Sequence, residues 1–290
     1  MSNTLVINAT NATSQKHIFN YNFINGSFSC NEKTKISISS ISIPYSWFNV
    51  SSFYNNNKFS ITWIVGTTVT TYPVELSVNA GLPDGFYSVT TINQFLQNFC
   101  IQNGFYLVNA SGQNVYYFDL SYNPAYYAVQ LLLFPIPTSL PVGWTQPTNF
   151  VGYPSVVRCP QFILPATGSI SSIIGFAPNT TYGLLSTANG QTFLSTLVPQ
   201  GSIVNSVIVR CSLVENNIAM PSDILDSFPI TSDFGNINVY EPSFNKWVRL
   251  KSGKYNTFSI TFNDEFGTPL PMRDTNVLIT LLLKQDYIVF

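Results

Sequence analysis

Residues 35–43 read KISISSISI, and their apolar spacing decides the fold class. Ile36 and Ile38 are two residues apart, as are Ile41 and Ile43, so each pair lies on one face of an extended chain. The Ser39-Ser40 pair interrupts the alternation, which predicts a β-bulge or a face switch at that point. The same period-2 signature recurs outward from this strand. Residues 58–65 (KFSITWIV) and 68–78 (TVTTYPVELSV), separated by Gly66-Thr67, read as a hairpin. Pro73 confines its second strand to an edge or a bulge, since proline has no N–H for a ladder. Residues 116–121 and 126–134 form a second hairpin candidate across Asn123-Pro124, and 202–214, 236–240, 257–262 and 276–284 are further strands rich in β-branched and aromatic residues. Asn263 to Gly267 (NDEFG) supplies turn chemistry between the last two.

One segment breaks the pattern. Residues 90–102 place Ile92, Phe95, Leu96 and Phe99 at helical spacing, with Thr90 or Thr91 as N-cap and Gly104 just past the end. Residues 135–202 hold many of the prolines and glycines and read as long loops, with a short helix at 171–176. Many strands with almost no helix predict an all-β chain, an antiparallel jelly-roll sandwich with long loops or an insertion and one short helix. No linker divides the chain, so a single domain over 1–290 is expected.

Composition narrows the function classes. Of 290 residues, 45% are apolar and 15% aromatic, with 23 Phe and 16 Tyr, while only 9% are charged, against about 25% in ordinary soluble domains. Such a mixture folds, because apolar area is ample to offset conformational entropy. The net charge of -1 gives little colloidal repulsion, so self-association is expected, with much of the surface serving as interface. The longest apolar run, 126–137, is too short to cross about 30 Å of hydrocarbon. No secretory signal is recognisable, which points to synthesis in a cytoplasm. Cys30, Cys100, Cys159 and Cys211 lie far apart with no Cys-x-x-Cys spacing and read as buried reduced thiols.

No residue pattern assigns a catalytic, cofactor-binding or metal site, and the chain reads as no enzyme. His17 is the single histidine, in a segment that alternates as a strand would, and it reads as structural. Asp264 and Glu265 fall in the expected turn. Asp223 and Asp226 follow Pro221-Ser222 at what reads as a short helical or irregular turn, and paired carboxylates work as a glycosidase only across a cleft. Walker and dinucleotide glycine motifs are absent. Lys246, Arg249, Lys251 and Lys254 form one basic stretch that could face DNA or an assembly partner, a solvated strand-and-loop face being the plainer reading. Trp144, between Gly143 and Pro147, is the best loop candidate for stacking on a sugar, which gives a carbohydrate-binding β-sandwich as the alternative reading.

Several stretches, in order, resemble the penton, or minor capsid, proteins of virophages and polinton-like viruses. They are Ile43-Pro44-Tyr45-Ser46-Trp47-Phe48-Asn49, Pro83 to Val89 leading into Ile92-Asn93-Gln94-Phe95-Leu96, Ile174-Gly175-Phe176, Asn205 to Cys211, Phe234-Gly235-Asn236-Ile237 and Phe262 to Gly267. The likeness spans most of the chain. It implies a jelly-roll subunit that forms homopentamers at the icosahedral vertices of a double-stranded DNA virus, beside a trimeric major capsid protein. Packaged DNA and internal capsid proteins are further candidate partners, and the virion is the implied location. Family members can carry an insertion domain, and residues 104–200 could hold one.

Overall fold

The computed structural model describes residues 2–74 and 81–285. The last part of the expected 68–78 strand, residues 75–78, and both extremes of the expected 1–290 domain lie outside them. The chain divides into two compact units, one made of Met1–Trp47 with Val204–Phe290 and the other of Phe48–Ile203. The segment 104–200 falls inside the second unit, which begins already at Phe48.

Eight strands carry the first unit: β1 (Ser2–Ile7), β2 (Ile18–Asn22), β3 (Thr34–Pro44), β4 (Ser206–Cys211), β5 (Ile224–Pro229), β6 (Ile237–Tyr240), β7 (Thr257–Asp264) and β8 (Leu278–Gln285). Hydrogen-bonded neighbours run β1-β8-β3-β6 in one sheet and β2-β7-β4-β5 in the other, and every pair is antiparallel. The pairs β1·β8, β2·β7, β3·β6 and β4·β5 are those of one long antiparallel hairpin. Rolling that hairpin up adds the pairings β8·β3 and β7·β4, which is the jelly roll.

The bulge falls where the isoleucine spacing requires it. Thr280 stands opposite Ser40 and Leu281 opposite Ile38, which leaves Ser39 without a partner on β8. The extra residue resets the alternation, so Ile36, Ile38, Ile41 and Ile43 all become buried. Ile279, Leu281 and Leu283 of β8 join them, and the other sheet buries Val207, Val209, Phe258, Ile260, Phe262 and Phe19. Each such side chain contributes about 1.5–3 kcal/mol relative to exposure.

Asp226, expected in a turn, instead lies within β5. The turn ends at Asp223, and the chain then extends because Leu225 and Phe228 reach the core. Ion pairing hides this strand from pattern reading, since Asp226 is half-buried yet bonded to the Tyr240 hydroxyl at 2.8 Å and to Lys246 Nζ at 2.8 Å.

In the second unit, α1 (Val89–Asn103) begins one residue earlier than expected. Ser88 is the N-cap, with extended backbone and its Oγ accepting from the Thr91 N–H at 3.2 Å; a serine at this position satisfies a first-turn donor that would otherwise be orphaned. Gly104 closes the helix at φ 70°, as its position predicts. Asn93 fastens the helix to the strand Phe118–Asn123, donating to Asp119 Oδ1 at 2.8 Å and accepting from the Leu120 N–H at 2.9 Å. That strand pairs with Ala128–Leu133 in the second expected hairpin, and Ser60–Val65 pairs with Thr68–Pro73 in the first, Pro73 lying on an edge strand. The expected loops contain α2 (Ser171–Ile174) and also the short strands Phe162–Leu164, Thr180–Tyr182 and Gln191–Leu194, which complete two sheets. Three or four residues between Pro and Gly punctuation show no readable period. The core of this unit gathers around Trp63, which stacks on Phe105 at 5.0 Å and meets Tyr117 edge-on at 5.6 Å.

Candidate functional site

The outer face of the β1-β8-β3-β6 sheet is apolar at one end of its strands and carries Lys35 opposite Lys284 at the other. Register places Val239, Ser42 and Leu278 directly opposite one another on β6, β3 and β8. Two residues further on, Ser40, Thr280 and Val6 form the next row across β3, β8 and β1. Their neighbours Ile41, Ile43, Ile279 and Ile7 are fully buried, so these rows point away from the core. Val6 is 48% exposed, Leu278 47%, and Val239 and Ile237 59% each. Aliphatics flanking small hydroxyls, with no charge in either row, make a surface suited to close contact with another protein. The outer face of the second sheet is instead hydroxyl- and amide-bearing, with Asn20, Asn22, Ser206, Ser259 and Thr261 at least partly exposed. On it Arg210 pairs with Asp223, bound through Nε and Nη2 at 2.9 and 2.8 Å.

The carboxylates singled out in the sequence are occupied by the fold. Asp264 accepts from the N–H groups of Phe266 and Thr268 at 2.9 and 2.8 Å and so shapes the β7 turn. Glu265 accepts from the N–H of Asn205 at 3.1 Å. The structure brings Asp226 and Asp223 to different partners and forms no cleft-spanning pair from them. His17 points Nδ1 at the Gln15 carbonyl, 2.6 Å away, which requires that nitrogen to carry the proton. Among the described residues, no group of three or more His, Cys, Asp or Glu could hold a metal ion.

The basic stretch is partly spent within the unit. Lys246 reaches Asp226, Arg249 lies 3.6 Å from Glu215, and Lys251 donates to the Ser212 carbonyl at 3.2 Å. Lys246 is held above its usual pKa, first by the Asp226 hydrogen bond and then by that of Tyr240. The four cysteines are free and buried; burial raises the thiol pKa of Cys30 to about 11 and those of Cys100 and Cys211 to about 12.

Trp144 is half-buried, packed against the core of the second unit, and forms one wall of an apolar hollow of about 350 Å³ with Phe134, Pro135 and Pro141. It sits on a loop, as its sequence neighbours predict, with its ring partly packed against that core. A different feature escaped pattern reading: the hairpin tip at residues 121–128 exposes Tyr122, Tyr126 and Tyr127 together. Three tyrosines within six residues were a legible signal of it, but the expected strands 116–121 and 126–134 put Tyr126 and Tyr127 in a strand and left Tyr122 in the connection. No helix of the described residues is long and apolar enough to cross a membrane.

Strand order and burial thus define a single jelly roll, with a second compact unit between its third and fourth strands and an aliphatic patch on one sheet face. No protein-family model matches the chain, and no curated protein sequence matches it. Among solved structures it is similar to the penton protein of mavirus, at 12% identity and TM-score 0.45, with 98% of each chain covered. It is also similar to a chain of the Sputnik virophage particle seen by cryo-electron microscopy, at 11% identity and TM-score 0.41, covering 98% of this chain and 96% of that one. The fold assignment rests on the sheet order.

Proposed function

We propose that this chain is a virion structural protein, a penton subunit that assembles as a homopentamer at the vertices of an icosahedral double-stranded DNA virus. The observation that carries the reading is the aliphatic outer face of the β1-β8-β3-β6 sheet, set on a jelly roll whose strand order is unbroken by a second unit of its own core. The motif order that resembles virophage pentons supports it. A ring closes when one patch of each subunit meets a different patch of the next, a heterologous contact that needs two unlike faces. The aliphatic face and the hydroxyl- and amide-bearing face of the opposite sheet are such a pair. The rows holding Val239, Leu278 and Val6 carry no charge, so burying them desolvates no ion, which is the costly step in burying polar surface.

The subunit works without catalysis in this reading, its partners being four more copies and the major capsid protein, with packaged DNA or internal capsid proteins less favoured because most of the basic stretch is bonded within its own unit. It is made in the host cytoplasm and resides in the capsid. Native mass spectrometry and negative-stain microscopy of the purified chain test the reading. Five-fold rings are expected; a monomer that persists at high concentration would overturn it.

A further inference from the structure

The second unit is almost without charge: of the chain's 12 basic and 13 acidic residues it holds only Lys58, Glu75, Asp84, Asp119 and Arg158. On it lies a groove of about 370 Å³ whose walls include Tyr87, Tyr122 and Tyr127, with Ser88 and Thr90 on the rim. None of the lining residues is charged. Tyr87 is half-buried and fixed, its hydroxyl donating to the Pro83 carbonyl at 2.9 Å. Tyr122 and Tyr127 are 44% and 63% exposed and meet edge to face, centroids 6.2 Å apart and planes 82° apart. Tyr127 takes φ 48°, a region costly for a bulky side chain, and holds its ring in solvent where no core packing repays the strain.

We propose that this groove binds a neutral saccharide. The two exposed rings form a corner against which the C–H face and edge of a pyranose can pack, and tyrosine supplies that area at low entropic cost. The Ser88 and Thr90 hydroxyls, with the Tyr87 phenol oxygen as an acceptor, are the polar groups that sugar hydroxyls need. The ligand's charge follows from the site: an anionic glycan or a nucleic acid would bring charge to a surface with no cation to meet it, and a neutral one loses nothing there. The proposal is independent of the capsid role, because the groove belongs wholly to the second unit.

The test uses the full chain on an array of neutral hexose and N-acetylhexosamine oligosaccharides printed beside sialylated and sulfated counterparts, with a decaproline peptide as an aromatic-groove control. Binding to neutral members is expected. The double variant Tyr122→Ala/Tyr127→Ala should weaken it by about tenfold or more, the loss expected for removing two aromatic contacts, with an unchanged melting temperature, and Tyr122→Phe/Tyr127→Phe should retain most of it. Trp144→Phe should leave it intact. No response to neutral glycans, preference for the anionic ones, equal response to decaproline, or loss of oligomer rather than of glycan binding in the alanine variant would each overturn the proposal. Subunit stoichiometry, measured separately, reports on the capsid reading.

Discussion

The rings of Phe228 and Tyr240 stack with centroids 5.0 Å apart and planes 15° apart, joining the edge strand β5 of one sheet to the edge strand β6 of the other. Below the ring, the Tyr240 hydroxyl donates to Asp226, which also holds Lys246. The open side of the sandwich is closed by this pair, apolar above and ionic below. Phe228→Ala should cost about 3–5 kcal/mol by removing a buried ring and leaving a cavity. Tyr240→Phe keeps the stack and loses one charge-assisted bond, about 1.5–3 kcal/mol. Urea denaturation of both variants should give that ranking; equal losses would show that the stack is not the main contributor.

Deleting Ser39 tests the bulge. Without the extra residue the stretch alternates strictly, so Ile36, Ile38, Ile41 and Ile43 share one face with no bulge, and the variant should keep the β1-β8-β3-β6 sheet by hydrogen exchange; loss of that sheet would show that the bulge itself is required. Ser39→Ala, which keeps the residue count, should change stability by less than about 0.5 kcal/mol.

Gly104 meets Asn149 across the end of α1. A Cβ at Gly104 would approach the Asn149 carbonyl oxygen to 2.1 Å, and the φ of 70° is unfavourable for any side chain. Gly104→Ala should therefore destabilise the second unit by at least about 1–3 kcal/mol, read as a lower urea midpoint.

The buried thiols make stability sensitive to alkali. Their folded pKa values of about 11 for Cys30 and about 12 for Cys100 and Cys211 stand above the ordinary 9.0, because burial disfavours the thiolate. A raised folded pKa means the unfolded chain releases protons first, so this stability is fully present below pH 9 and declines as pH rises through 11 and 12. A melting curve that is flat from pH 7 to 9 and falls steeply above it is expected. Ellman's reagent at pH 8 should find the four thiols slow to react until denaturant is added.

Assembly should depend on the outer sheet face. Val239→Lys with Leu278→Lys places two cations on the central row opposite Ser42. Sedimentation should show loss of the oligomer, while the melting temperature of the monomer changes little, as is usual for exposed positions. An oligomer that survives this variant would assign the contact to another face.

Local features were legible where one short-range rule governed them. The isoleucine spacing predicts the Ser39 bulge, Gly104 predicts the end of α1, and Gly66-Thr67 predicts the hairpin turn. The signal failed where longer-range contacts set the structure. Ser88 rather than Thr90 or Thr91 takes the cap, and Asn93 ties the helix to the strand Phe118–Asn123. β5 was hidden because its polar Asp226 is matched by Tyr240 and Lys246, partners remote in sequence. Trp144 is the loop aromatic that its neighbours predict, but that its ring also packs against the core of the second unit was not legible.

What the sequence by itself determined is the period of the chain, the faces its isoleucines must share, the shortage of charge and the lack of recognisable catalytic motifs, all properties of neighbouring residues or of composition. Only the tertiary structure decided that β1 pairs with β8 and β2 with β7, that Val239, Leu278 and Val6 lie on adjoining rows of one exposed face, and that Tyr87 joins Tyr122 and Tyr127 around a groove. The physical reason is that alternation specifies which side of a strand is buried but carries no record of its neighbour. The neighbour is selected by cross-strand packing between residues far apart in the chain, an energy that exists only once the sheets have closed.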